Sequence, residues 1–263
     1  MELSGKSYHL QIRTNWIINQ LVLKLVAAFQ RVLDIFLLLP TRLYRLVKHL
    51  YRGVRSLVQP TPFWWQAEPG SGFLINFCWW LVGLLIYILE CFGIGEIYEM
   101  LSDFFKYNTR PLHHWEIKVA QTIYGDTINY KRVRVDELAL AGPKQHRFCY
   151  VSFYLINSWG PMPNSTFLHE LMHVWQYQKM GARYMVQALR GQYSSMGYNY
   201  GGVSALREYL EQGKGLRDFN LEQQADIVTD YYLITKGYAP QWGRATQVDL
   251  PVYEKFIEKL DKN

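Results

Sequence analysis

The chain has 263 residues, 49% of them hydrophobic and 16% aromatic, with 28 Lys and Arg against 22 Asp and Glu for a net charge of +6. Its basic residues alternate with aliphatic rather than stacking aromatic side chains, and no nucleic-acid motif is present, which argues against a nucleic acid as partner. Three cysteines, Cys78, Cys91 and Cys149, give neither a disulfide framework nor a thiolate metal site, and each is expected to be a small buried hydrophobe.

The first quarter differs in charge from the rest. From Met1 to Pro60 nine basic residues stand against Glu2 and Asp34, a balance of +7, so the remainder carries −1. Two amphipathic helices are expected, over Trp16 to Leu39 and Arg42 to Val58. Winding the second at about 100° per residue sets Arg42, Arg45, Lys48, His49, Arg52 and Arg55 opposite a Leu- and Val-rich face. Such helices suit the headgroup layer of an anionic membrane, so anionic lipid is the expected partner of residues 1–60. No short apolar core with a small-residue cleavage site follows the start, so a cleaved signal peptide is not expected.

Residues 61–105 form the next region. From Phe73 to Leu89 run 17 residues with Asn76 as the one strongly polar side chain, and Glu90 is the sole charge as far as Gly95. That length is just enough to cross a bilayer. Phe63-Trp64-Trp65 precedes it as an interfacial anchor, with Arg52 and Arg55 before and Glu90, Glu96, Glu99 and Asp103 after. A single-pass helix with a cytoplasmic amino terminus and the remaining domain across the membrane is therefore expected. A hydrophobic hairpin or in-plane segment competes with it, since Gly83, Gly93 and Gly95 interrupt the stretch.

Residues 106–263 are enough for one domain. Leu112 to Ile123 reads as a helix and Asp126 to Val135 as partly extended. Arg147 to Asn157, rich in aromatic and β-branched residues, reads as a strand that ends in the loop Ser158 to Pro163. That strand is either a sheet edge that pairs with extended substrate or an ordinary core strand. Helical patterns recur around Ala182 to Leu189, Ser204 to Gln212, Leu221 to Thr235 and Val252 to Leu260, and the composition of Gly191 to Gly202 suits a mobile loop. The fold expected is α+β and dominated by helix.

The most informative segment is His169-Glu170-Leu171-Met172-His173. An H-E-x-x-H on a helix stacks two imidazoles on one face, where both reach a single Zn²⁺, and sets Glu170 close enough to take a proton from water on the metal. The flanks from Thr166 to Trp175 carry no charge except Glu170, which suits a buried helix. Downstream, Glu222 and Asp226 again lie four apart on one helical face. Glu222 can be the third ligand, and Asp226 can accept the outer N–H of a ligating histidine.

These two stretches, Thr166 to Gln178 and Asn220 to Tyr232, resemble the gluzincin metallopeptidases, whose pattern is H-E-x-x-H on one helix and E-x-x-x-D on a second. The resemblance implies a zinc cofactor held by His169, His173 and Glu222, with Glu170 as general base, Asp226 behind a ligand, and a peptide or protein as substrate. A narrower likeness, adding Gly125 to Val135 and extending to Gln176, is to predicted peptidase domains in bacterial toxin and contractile-injection gene neighbourhoods. Gluzincins also supply a Tyr or His to the developing oxyanion. Tyr198, Tyr200, Tyr231 and Tyr232 can all be placed there, and no motif chooses among them. Two other readings stay open: a silent zincin-like membrane or structural module, and a zinc hydrolase acting on another bond. Substrate preference and oligomeric state are not encoded in any local pattern.

Overall fold

A computed structural model describes residues 2–58, 73–106, 108–140, 142–146, 148–192 and 197–261. The aromatic anchor Phe63-Trp64-Trp65 and the centre of the loop 191–202 lie outside them. The elements in chain order are α1 (Glu2–Val58), α2 (Phe73–Cys91), α3 (Ile94–Phe105), β1 (Thr109–Pro111), α4 (His114–Tyr124), β2 (Arg134–Asp136), α5 (Pro143–His146), β3 (Tyr150–Ser152) and β4 (Leu155–Asn157). They continue with α6 (Asn164–Met180), α7 (Arg183–Gln192), α8 (Gly202–Glu211), α9 (Leu221–Thr235) and α10 (Leu250–Asp261). Helices dominate, and one small mixed sheet completes an α+β fold.

The two amino-terminal helices read from the sequence are one. Pro40 lies inside α1, where it removes a backbone hydrogen bond at a cost of about 3 kcal/mol. Anchors on either side of it hold the helix together. Arg31 pairs with Glu99 at 2.9 Å and Asp103 at 2.6 Å, and Arg42 and Arg45 reach Glu96 and Glu90. In register with these ion pairs, His49 stacks on Trp80 with ring centroids 5.4 Å apart. Gly53 sits where a Cβ would collide with that indole. So α1 runs antiparallel to α2 and α3, and Arg31, Arg42 and Arg45 face acids of those helices. Cys78, expected inside, is exposed on α2, because the inner stripe of that helix passes through Asn76, Gly83, Tyr87 and Glu90 instead.

The sheet order is β1-β2-β4-β3, with β2 and β4 parallel and both outer pairs antiparallel. The single strand expected over Arg147 to Asn157 is a tight hairpin, β3 and β4, turning at Phe153 and Tyr154. Phe153 takes φ 60, an uncommon value for a bulky residue. Its ring packs against Tyr98 and Tyr177, and the Tyr154 N–H donates to Glu99 Oε1 at 3.2 Å, which holds the turn without the usual glycine. The hairpin leaves β3 at the sheet edge.

Behind the sheet, α6 and α9 pack against each other. Leu168, Leu171 and Met172 from α6 meet Ala225 and Val228 from α9 in one core with Tyr253 and Phe256 of α10. The buried Tyr124 hydroxyl donates to the Leu168 carbonyl at 2.7 Å, which fixes α4 to the middle of α6. The amino-terminal helices reach the far end of α6. Arg45 donates to the Lys179 carbonyl at 3.1 Å, and Glu90 accepts from the Ala182 N–H at 3.3 Å. A helix carboxyl end left with free carbonyls gains from such a cation.

Candidate metal centre

Helix α6 begins after Pro163, whose fixed φ and missing N–H are harmless at a helix start. From there Phe167 and Leu168 turn into the core, and the 3.6-residue period sets His169 and His173 together on the side facing α9. Their ring centroids are 5.1 Å apart. Helix α9 starts at a capping box: the Asn220 side chain accepts from the Gln223 N–H at 2.9 Å, and the Gln223 side chain accepts from the Asn220 N–H at 3.1 Å. This fixes the first turn, and with it Glu222, against the histidines.

Glu222 Oε2 lies 3.4 Å from His169 Nε2 and 3.3 Å from His173 Nε2. A tetrahedral zinc ion with bonds of about 2.0–2.1 Å separates its ligand atoms by about 3.3–3.4 Å, so the spacing fits the edges of that polyhedron. Glu222 Oε2 is buried and makes no hydrogen bond, an orphaned acceptor turned to the place a cation would fill. Among the described residues, His169, His173 and Glu222 form the one group that could hold a metal ion.

The electrostatics agree. Burial works against charging the imidazoles, but the facing carboxylates of Asp226 and Glu222 outweigh it and lift His169 to about 10, and Glu222 raises His173 as well. Burial likewise opposes the Glu222 charge, and His173 and His169 overcome it, holding that carboxyl well below its usual range. The site thus favours positive charge, which a bound cation would supply.

Each ligand is oriented from behind. His169 Nδ1 donates to Asp226 Oδ1 at 2.9 Å, which leaves Nε2 free for metal, and Asp226 Oδ2 accepts from Trp242 Nε1 at 2.6 Å. His173 Nδ1 meets Gln176 Oε1 at 2.8 Å, and Gln176 in turn donates to the Leu221 carbonyl at 3.0 Å. The remaining oxygen of Glu222 accepts from Gln192 Nε2 at 2.9 Å. Gln176, Gln192 and Trp242 did not emerge from the sequence. Gln176 stands three residues after His173 on the same face, so helix spacing carried a signal for it. Gln192 and Trp242 arrive from other elements and left none. Trp242→Phe should therefore weaken zinc affinity about 10–100-fold with the fold intact, measured by competition with a chelating dye, since it frees the carboxylate that sets the His169 tautomer. An unchanged affinity would remove Trp242 from the site.

Glu170 is buried beside the ligands, and its Oε2 has no partner. Burial pushes its carboxyl up from the usual range. The four tyrosines now separate. Tyr200 donates to Asp230 at 2.7 Å and meets Tyr253 at 2.8 Å, so its hydroxyl is spent in the core. Tyr232 accepts from Asn164, and Tyr231 faces Glu254 and Glu258. Tyr198 alone of the four lies at the cluster, its ring centroid 6.2 Å from that of His169. Burial and the charges of Glu222, Glu170 and Asp226 raise its hydroxyl.

Next to the start of α6 and the edge strand β3 opens a cleft of about 570 Å³, lined by Phe148, Cys149, Trp159, Met162 and Thr166 among others. Burial, with the charge of Glu170, pushes the Cys149 thiol of the cleft wall up to about 12.

No family model matches the chain, and no solved structure does. An alignment of 136 positions that covers 47% of this chain is 34% identical to the type VI secretion system spike protein VgrG2b of Pseudomonas aeruginosa. The match spans 13% of that relative's own length, so the likeness is to a part of a longer protein.

Proposed function

We propose that this chain is a zinc-dependent metallopeptidase held at a membrane. The observation that carries the reading is the convergence of His169 Nε2, His173 Nε2 and Glu222 Oε2 at 3.3–3.4 Å, with Glu170 beside them. Two imidazoles and a carboxylate suit zinc, and three protein ligands leave a fourth position open, the arrangement of catalytic rather than structural sites. Bound there, zinc would supply a Lewis acid for the scissile carbonyl and lower the pKa of a water at the open position.

The chain's own residues do the rest. Glu170, desolvated and without a hydrogen-bond partner on Oε2, takes the proton of the attacking water and returns it to the departing amine. Tyr198, whose hydroxyl stays protonated, donates to the developing oxyanion. The β3 edge offers main-chain donors and acceptors to an extended peptide, and the cleft beside it takes an apolar side chain. The likeness to part of a type VI secretion spike protein supports a role as an effector domain carried by such a system.

The test uses the full chain supplied with zinc, with metal content read by elemental analysis and turnover on a complex peptide pool read by mass spectrometry. One zinc per chain and new peptide termini are the expected result; a folded protein that takes up no zinc would sink the reading. Tyr198→Phe should lower kcat about 10²–10³-fold with little change in KM or zinc content. A change confined to KM would make Tyr198 a binding residue.

A further inference from the structure

The amino-terminal helices are built with reversed polarity. On α1, the charged residues Arg31 and Arg42 are buried, and Phe29, Phe36, Leu37 and Tyr44 are exposed. On α3, Glu96, Glu99 and Asp103 are buried, while Leu101, Phe104 and Phe105 face outward. The outer stripe of α2 passes through Leu74, Leu81, Val82, Leu85 and Ile88 to Phe92. The charges of α1 therefore neutralise those of α2 and α3 inside, and a continuous apolar face covers the outside of three helices.

That face runs along α1 from Leu21 to Val54, about 50 Å at the helical rise per residue. Spread over three helices, each about 10 Å across, it is larger than the few hundred Å² of contiguous apolar surface that soluble monomers leave open. A protein partner would require a polar rim and about one hydrogen bond per 100–200 Å². Exposed polar side chains on this stretch are few, Gln30, Thr41 and Lys48 among them. Such a surface fits acyl chains.

The geometry also decides how it meets them. By length and composition α2 can cross a bilayer, with 19 residues and a mean hydropathy of 1.9. But α7 lies along its inner side. Asn76, near the start of α2, accepts from Arg190 at 3.0 Å, and Glu90, near its end, accepts from the Ala182 N–H. These contacts flank α7, which carries Arg183, Gln187 and Arg190 and ends in Gln192, the donor to Glu222. An upright α2 would pull those groups, and the metal centre with them, into hydrocarbon.

We infer that α1, α2 and α3 form a monotopic membrane-docking face, sunk into one leaflet by its apolar side chains, which holds the metal centre at the surface of the same leaflet. This differs from the single-pass arrangement that the charged flanks imply. It rests on the membrane half of the proposed function and is independent of the zinc chemistry. Since Arg31, Arg42 and Arg45 are engaged internally, insertion is driven by apolar burial and not by anionic headgroups.

Flotation of the full chain with preformed phosphatidylcholine vesicles tests the docking. The protein should float with neutral vesicles, keep doing so at high salt, and gain little from added anionic lipid. Leu37→Glu with Leu85→Glu, both outward-facing and clear of the ion pairs, should lower partitioning by at least about tenfold while circular dichroism is unchanged. Glu170→Gln should float as the wild type does, so a failed peptidase assay leaves this result standing. For sidedness, Gln66→Cys before α2 and Lys118→Cys on α4 are labelled with an impermeant maleimide in a Cys78→Ser, Cys91→Ser, Cys149→Ser background. Labelling of both from outside supports docking in one leaflet. Labelling of one alone means α2 spans, and a stable dimer that ignores vesicles means a second copy covers the face; either overturns the inference.

Discussion

Glu170→Gln should lower peptide hydrolysis by at least about 10²–10⁴-fold and leave zinc content at the wild-type level. The amide keeps the volume of the carboxyl in a closely packed place, so the histidines and Glu222 stay where they are. What it loses is the ability to take a proton. Glu170 is suited to that exchange because burial raises its carboxyl and Oε2 has no competing donor. Kinetics on a cleaved peptide with parallel elemental analysis measures both quantities. This comparison also separates the three readings of the site. A silent structural module shows no turnover in either protein, and a hydrolase of another bond shows the same loss on its own substrate. Equal turnover by wild type and variant would end the base mechanism.

Glu222→Ala should remove zinc altogether under conditions where the wild type holds one ion. Two imidazoles alone form an incomplete site. Glu222 Oε1 accepts from Gln192, whose side chain is exposed, so water takes over that donor after truncation. His173→Ala should also release zinc, and it leaves the buried Gln176 Oε1 without its partner at 2.8 Å. An unsatisfied buried polar group costs about 1–3 kcal/mol, so the melting temperature of metal-free His173→Ala should fall further than that of Glu222→Ala. Differential scanning calorimetry on metal-free protein distinguishes the two. Retention of zinc by Glu222→Ala would mean that another carboxylate completes the site.

The clustered side chains could be read in the sequence because helix geometry makes each pair local. Four residues is one turn, so His169 and His173 share a face by covalent spacing alone, and Glu222 and Asp226 do the same on α9. The α+β class and its helical dominance follow from the same periodicity. What joins the two helices is not local. Nothing in Asn220 to Asp226 states that it packs on α6; that comes from the shared core of Leu168, Leu171, Ala225 and Val228. The oxyanion donor stayed open among four tyrosines because a hydroxyl's role depends on where its neighbours are. Asp230 and Tyr253 claim Tyr200, and only then does Tyr198 stand alone.

The amino-terminal region shows the limit of pattern most clearly. The helical wheel sets a basic face opposite an aliphatic one, but a wheel has no inside. The acids that decide the matter, Glu90, Glu96, Glu99 and Asp103, lie 45 to 72 residues further along the chain than the arginines they neutralise. Buried charge is tolerable only when paired, so tertiary contact, not amphipathicity, turned Arg31, Arg42 and Arg45 inward, while Lys48 and Arg55 stay exposed. The chain by itself therefore determined which side chains share the faces of α6 and α9 that meet in the His169, His173 and Glu222 cluster, and how helical the protein is, since both depend on spacing within a few turns. Which face of α1 meets water or lipid, how α2 lies against α7, and which side chains orient the ligands were decided by the fold, because each depends on a partner distant in sequence.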